Sequence, residues 1–233
     1  MLKKLTLVVT LLMATTASYA TAPASAGVAQ PSPSVNSKIT VSIDPAADCS
    51  PSTPCYVIKT SAIQLSQAIN QNITDKQAFN MVQNSILPQF DFSLMTRLAM
   101  GANWKKASEA QQNQIVDLFK QQLLYSYSLA LSKFKGAQVA IINSSISGEK
   151  QNKAIVTSTI ALPSNGNSNN QPVNIEYDLA KISNSWKIYD VKIEYASIVT
   201  TYRTQFNDVV QNSGIAGLIG QLQAKVNNLK NNK

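Results

Sequence analysis

The order of hydrophobic periodicities along the chain predicts an α+β fold. Three observations carry this. Apolar residues recur at three-and-four spacing from about Tyr56 to Phe134, the period drops to two between Ala137 and Tyr195, and the helical period then returns. The four alternating segments are joined by the short connectors "GEKQ", "PSNGNSNNQ" and "SNS", which favour an antiparallel meander. One face of such a four-stranded sheet is apolar, and the helices before and after it are its available cover.

The N-terminus reads as an export signal. "MLKK" is a basic start, "LTLVVTLLMATTA" is an apolar run too short to span a bilayer, and Ser18 and Ala20 place small residues at a cleavage site. Residues 1–20 are therefore expected to be removed after Ala20, with Ala22 and Ala26 as alternatives, and the mature chain to be soluble and exported. Residues 21–48 are rich in Ala, Ser and Pro and read as a disordered linker, with "KITVSI" as a short strand near its end. One domain is expected over 49–233.

Within it, "YVIKTSAIQLSQAINQN" spaces Val57, Ile58, Ile63, Leu65 and Ile69 along one helical face. "TDKQAFNMVQNSILPQF" has Thr74 as its N-cap and stops near Pro88; "DFSLMTRLAMG" has Asp91 as a cap and Gly101 as a stop. The longest helix runs from a Ser108 cap to Gly136, with Ile115, Leu118, Phe119 and Leu123 on one face. Four strands follow: "AQVAIINSSIS", "NKAIVTSTIAL", "QPVNIEYDLAKI" and "SWKIYDVKIEY". In the third, Val173, Ile175, Tyr177 and Leu179 point one way and Asn174, Glu176 and Asp178 the other. "ASIVTTYRTQFNDVVQNSG" and "IAGLIGQLQAKVNNLK" are two closing helices.

Composition narrows the function. The net charge of +8, about +6 without Lys3 and Lys4, attracts anionic partners. No Lys/Arg run or aromatic RNA-binding motif accompanies it, so nucleic acid is not expected. The chain has no histidine, which removes Ser-His-Asp and Cys-His catalysis; it also has no P-loop, dinucleotide fingerprint or acidic metal cluster. No enzyme activity, metal or cofactor is expected. Glu176 and Asp178 read as solvated partners of nearby lysines, and Asp190 and Glu194 likewise. The two cysteines, Cys49 and Cys55 in "DCSPSTPCY", form a disulfide in an exported chain; the spacing is not that of a redox pair, and no histidine completes a common zinc site.

What remains is abundant apolar surface with little chemistry. Two stretches, "FDFSLMTRLAMGANWKKASEAQQNQIVDLFKQQLLYSYSLALSKF" and "NSWKIYDVKIEYASIVTTYRTQFNDVV" continued through "QNSGIAGLIGQLQAKV", resemble the MlaC family, also called the toluene-tolerance or ABC-transporter auxiliary family. The resemblance covers about Tyr56 to Leu229. It implies a nuclear-transport-factor-like fold, in which a bent antiparallel sheet is wrapped by helices around an apolar cavity. It further implies a periplasmic phospholipid carrier working between an outer-membrane lipoprotein–porin complex and an inner-membrane ABC transporter with an MCE-domain subunit, so maintaining outer-membrane lipid asymmetry. The Ala/Ser/Pro-rich leader, the cysteine pair and the Asn-rich loop at 164–170 depart from the family pattern.

On this reading, Val173, Ile175, Tyr177 and Leu179 are candidate cavity walls, extended by Val156, Ile160 and Ile188. Leu123, Tyr127, Leu131 and Phe134 contribute from the long helix, and Trp186 and Tyr195 lie nearer the mouth. Arg97 and Arg203 are expected to be structural, and Lys105 and Lys106 to be surface lysines. The alternative is a protein-interaction module of the same fold whose cavity is filled by side chains.

Overall fold

The computed structural model describes residues 38–71, 73–128, 135–162 and 171–231. The expected signal sequence, most of the linker, Leu131, Phe134 and the Asn-rich loop lie outside these residues.

The chain enters through β1 (Thr40–Ile43), then α1 (Pro54–Asn70), which starts where Thr53, in an extended conformation, accepts a hydrogen bond from the Tyr56 amide. Pro54 at the first helical position loses nothing by lacking an N–H. The Cys49–Cys55 disulfide is formed, and Cys55 is fully buried. It fastens the approach segment to the first turn of α1.

α2 (Asp75–Met81) begins with a complete capping box: Gln77 N–H to Thr74 Oγ1, and Thr74 N–H to Gln77 Oε1. The helix expected to reach Pro88 changes pitch after Met81. It continues as a π-turn over Val82–Ile86 and a 3₁₀ turn over Leu87–Gln89. Pro88 cannot supply the N–H that an α-helical ladder needs. α3 (Phe92–Met100) is capped by Asp91, which accepts from the Leu94 amide at 2.8 Å, and stopped by Gly101 at φ +53°. A 3₁₀ turn over Gly101–Lys106 leads to α4 (Glu109–Ser128), whose entry is the Ser108–Gln111 pair.

Four strands then run in sequence: β2 (Gln138–Ser147), β3 (Lys153–Ala161), β4 (Val173–Ile182) and β5 (Ser185–Ile193). They pair antiparallel as expected. The expected four-stranded antiparallel sheet is nonetheless incomplete. β1 adds in parallel to β2, and the two-residue β6 (Ala196–Ser197) adds beyond β5, giving a mixed six-stranded sheet in the order β1-β2-β3-β4-β5-β6. β1 is the short strand expected in "KITVSI", but its parallel pairing with β2 and the two-residue β6 leave no periodic signal in the sequence. The folded unit thus includes β1, ahead of the domain start expected at residue 49. Register shifts at Ile141/Asn143 and between Asp178 and Leu179 mark bulges, which bend strands locally.

α5 (Ile198–Asn231) closes the chain. Gly214, at φ +68° and ψ −175°, breaks it into two helical halves, as the two closing periodic segments predict. The first half buries Tyr202, Phe206 and Val210 and the second Leu218, Leu222 and Val226, each set at four-residue spacing. Asp190, expected as a solvated carboxylate, is instead buried at the start of this helix. It accepts from the amides of Val191 (2.8 Å) and Val199 (3.0 Å) and from Ser197 Oγ (2.5 Å). Among the described residues no helix is long and apolar enough to cross a membrane.

Candidate functional site

Strand register assembles one apolar sheet face row by row. Across β3 and β4 the pairs are Ile160–Val173, Ser158–Ile175, Val156–Tyr177 and Ala154–Leu179. β5 adds Ile193 beside Ile175, Val191 beside Tyr177 and Ile188 beside Leu179; β2 adds Val139 beside Ile160 and Ile141 beside Ser158. Side chains alternate between faces, so all of these share one side.

The face has two ends of different character. At one end Val156, Leu179, Trp186 and Ile188 are buried in a single cluster with Ile58 of α1 and the disulfide, and Tyr177 packs against it. At the other end the row Val139, Ile160, Val173, with Ile193 in the next row, is only half-buried. Ile160 there packs against the small group Ile39, Ile69 and Ala137. Ile175, 7% exposed, lies between the two ends. Burial raises the Tyr177 phenol above its ordinary range, and the Ser158 hydroxyl beside it offsets part of that.

The pair α4–α5 carries the rest of the expected residues. Leu123 is buried. Phe119 meets Tyr202 and Phe206 edge-on, with ring centroids at 4.7 and 5.2 Å, and Gln122 Nε2 donates to Tyr202 Oη at 3.0 Å. Burial pushes the Tyr127 phenol well up, and the neighbouring Tyr202 phenol adds to the shift. The hydroxyls of Tyr127 and Ser128 are buried and have no hydrogen-bond partner among the described residues. Tyr195 stands apart: it is 86% exposed, at φ +70° in the turn between β5 and β6.

The opposite sheet face is polar. Lys192 Nζ bridges Glu176 Oε1 (2.5 Å) and Asp178 Oδ2 (3.0 Å), the lysine pairing expected of those carboxylates. The bridge to Glu176, ahead of the one to Asp178, raises the Lys192 ammonium above its ordinary range. Burial raises Asp178, with Lys192 pulling the other way. No group of acidic or sulfur side chains among the described residues is arranged to hold a metal ion. Arg203 has the structural role expected: its Nε donates to Leu98 O at 2.8 Å, over Gly101.

A separate cleft of about 610 Å³, open to solvent, lies at the outer edge of β5. The segment before α3 meets that edge through the Phe90–Ile188 bridge and the Asp91 N–H···O=C Ile188 bond of 2.8 Å. Phe90 and Phe92, stacked at 5.6 Å, line the cleft with Leu87, Val116 and Ile182. Lys120 and Lys187 are on its walls. None of the residues proposed from sequence as cavity walls lines it. Phe90 and Phe92 belong to the "FDF" segment, but their convergence with α4 and the β4–β5 turn is a tertiary fact without a local signal.

The MlaC protein family model matches residues 59–224. Among solved structures, the phospholipid-binding protein from Ralstonia solanacearum, determined in complex with a phospholipid, is similar to this chain with a TM-score of 0.65 and 29% sequence identity. The alignment covers 76% of this chain and 99% of that protein. With the family model spanning every element from within α1 to the second half of α5, this chain belongs to the MlaC family.

Proposed function

We propose that this protein is a periplasmic phospholipid carrier. On this reading it moves lipid between an outer-membrane lipoprotein–porin complex and an inner-membrane ABC transporter with an MCE-domain subunit, and so maintains outer-membrane lipid asymmetry. The observation that carries the reading is the likeness to a solved phospholipid complex along nearly the whole length of that protein. The apolar sheet face supports it, because its half-buried end offers aliphatic walls beside a closed core.

The physics of the task matches such a face. A phospholipid leaving a bilayer exposes its tails unless another apolar surface receives them. Each buried methylene is worth about 0.8 kcal/mol, so a tail of about sixteen carbons carries roughly 12 kcal/mol. Hydrogen bonds contribute about 1 kcal/mol net apiece, so aliphatic walls dominate the affinity and no reactive side chain is needed. Val139, Ile160, Val173, Ile175 and Ile193 form the proposed wall, with Tyr177 in the next row, and Leu123 and Tyr127 are the proposed contribution from α4. Val156, Leu179, Trp186 and Ile188 are its packed foundation.

The test is native mass spectrometry of the exported protein purified without detergent, with organic extraction alongside. Phospholipid near one molecule per chain is the expected result. Lipid-free protein that also fails to extract phospholipid from vesicles overturns the proposal and favours the protein-interaction module.

A further inference from the structure

We infer that the cleft at the outer edge of β5 is a second ligand site, for a single-chain anionic amphiphile such as a fatty acid or a lysophospholipid. The site is distinct from the proposed phospholipid wall. In β5, Trp186 and Ile188 point into the core cluster, so the intervening Lys187 points to the other side of the sheet, and Lys187 lines the cleft.

Three features of the cleft select this class of ligand. Its volume of about 610 Å³ falls within the roughly 300–1,000 Å³ typical of small-molecule sites. Its floor is apolar: the stacked Phe90 and Phe92, with Leu87 and Val116 and with Ile182, which is 38% exposed to solvent. Its charge is cationic. Lys120 and Lys187 make no ion pair among the described residues. Lys187 Nζ gives one hydrogen bond to Pro88 O at 2.7 Å, which fixes the ammonium at the cleft and leaves its other protons free. The one carboxylate among the lining residues, Asp91, caps α3 through Oδ1 and offsets one of the two ammonium charges, so the cleft keeps one positive charge in excess.

An apolar floor with two ammonium groups against one carboxylate, one positive charge in excess, complements one acyl chain ending in one anion. Two-tailed lipid needs more apolar wall than this floor supplies. A neutral chain leaves both lysines unused. An extended acidic peptide has no free strand edge to pair with here, because the Phe90–Asp91 segment already occupies the edge of β5 at Ile188.

The experiment uses the exported protein with its co-purified lipid in place. Laurate, 1-lauroyl-lysophosphatidic acid and uncharged dodecanol are titrated by calorimetry, and a diazirine-bearing laurate is photo-crosslinked and mapped by peptide mass spectrometry. Laurate and the lysophospholipid distinguish a carboxylate from a phosphate terminus. The expected result is one laurate per chain, bound at least tenfold tighter than dodecanol, with crosslinks in residues 83–92, 116–120 or 182–187. Lys120→Gln with Lys187→Gln reduces that preference to less than threefold while phospholipid content stays unchanged. Val116→Trp fills the floor and removes binding. Equal affinity for laurate and dodecanol, crosslinks on β3 or on residues 173–181 of β4, or stoichiometric displacement of phospholipid by laurate overturns the second site. The crosslink map is made on the unmutated protein, so it decides even if a variant misfolds. Failure here leaves the phospholipid stoichiometry, and so the carrier reading, untouched.

Discussion

Asp190→Ala is expected to destabilise the protein by about 3 kcal/mol, and Asp190→Asn by about 1 kcal/mol. The magnitude follows from what Asp190 holds. Its two carboxylate oxygens accept from Val191 N, Val199 N and Ser197 Oγ, and the residue is 6% exposed. Val199 is in the first turn of α5, so the carboxylate caps that helix from the neighbouring strand and faces the positive end of its dipole. Truncation leaves the buried Val199 amide without an acceptor, at about 1–3 kcal/mol, and loses charge-assisted bonds besides. Thr200 N keeps its bond to Ser197 Oγ at 2.9 Å, which limits the loss. Asparagine retains one acceptor oxygen, and its amide can donate to the serine hydroxyl, so only the charge is lost.

Urea unfolding of the two variants checks this, with the midpoint shifting and the slope unchanged. A loss of about 3 kcal/mol lowers the thermal midpoint by about 6–12 °C in a chain of this size. If Asp190→Ala falls within about 0.5 kcal/mol of the parent, the range of ordinary surface substitutions, the capping argument is wrong. If Asp190→Asn costs as much as Ala, the hydrogen-bond inventory is wrong even though the site matters.

Reducing the Cys49–Cys55 bond is expected to lower stability by about 2 kcal/mol, the loop-entropy value for so short a loop, read as a drop in urea midpoint with dithiothreitol. Because burial raises Asp178, the folded protein holds that proton to a higher pH than the unfolded chain; the resulting stabilisation is complete below pH 3.8 and is lost as pH rises through the raised value. Asp178→Asn is therefore expected to gain stability relative to the parent between about pH 3 and pH 7, measured as urea midpoints at both ends, with Glu176 still pairing Lys192. Gly214→Ala places a Cβ at φ +68° and ψ −175°, a region open essentially to glycine alone, with nothing within 4 Å, so strain alone acts and the loss is about 1–3 kcal/mol by thermal unfolding. Ile175→Glu is expected to abolish phospholipid retention, and Val173→Lys, at a half-buried position that tolerates the lysine stem, to reduce it severalfold in the folded protein; organic extraction measures both.

The order of elements was legible because each long segment keeps one period over many residues. The alternation of Val173, Ile175, Tyr177 and Leu179 places four side chains on one face before any contact is known, and register then adds Val156 and Ile160 beside them. Three features were not legible, each for a physical reason. The strand in "KITVSI" is expected, but its parallel pairing with β2, and β6 beside β5, are tertiary interactions that no local propensity records. Asp190 looks like its surface neighbours because its value lies in the chain reversing through β6 to bring Val199 back to it. Tyr195 reads as a residue nearer the mouth at the end of the fourth alternating segment, and the positive φ of Glu194 and Tyr195 that puts it in an exposed turn has no signal in the sequence.

On the proposed carrier reading, the division of the sheet face into a packed end and a half-buried end bears on how the protein survives without cargo. An apolar cavity that loses its ligand gains by collapsing, since every unfilled contact forfeits dispersion. Flexible side chains such as Met or Leu would swing into the space and fill it. The half-buried positions Val139, Ile160, Val173 and Ile193 are all β-branched, and each has few χ1 states to choose from. They cannot fold over the face, and the strands beneath them are held by the α1 cluster and its disulfide at the other end. On that reading, stability and binding are assigned to different rows of one sheet. The packed rows fix the strands, so the stiff rows keep an apolar surface available to a tail that arrives from a membrane and leaves again.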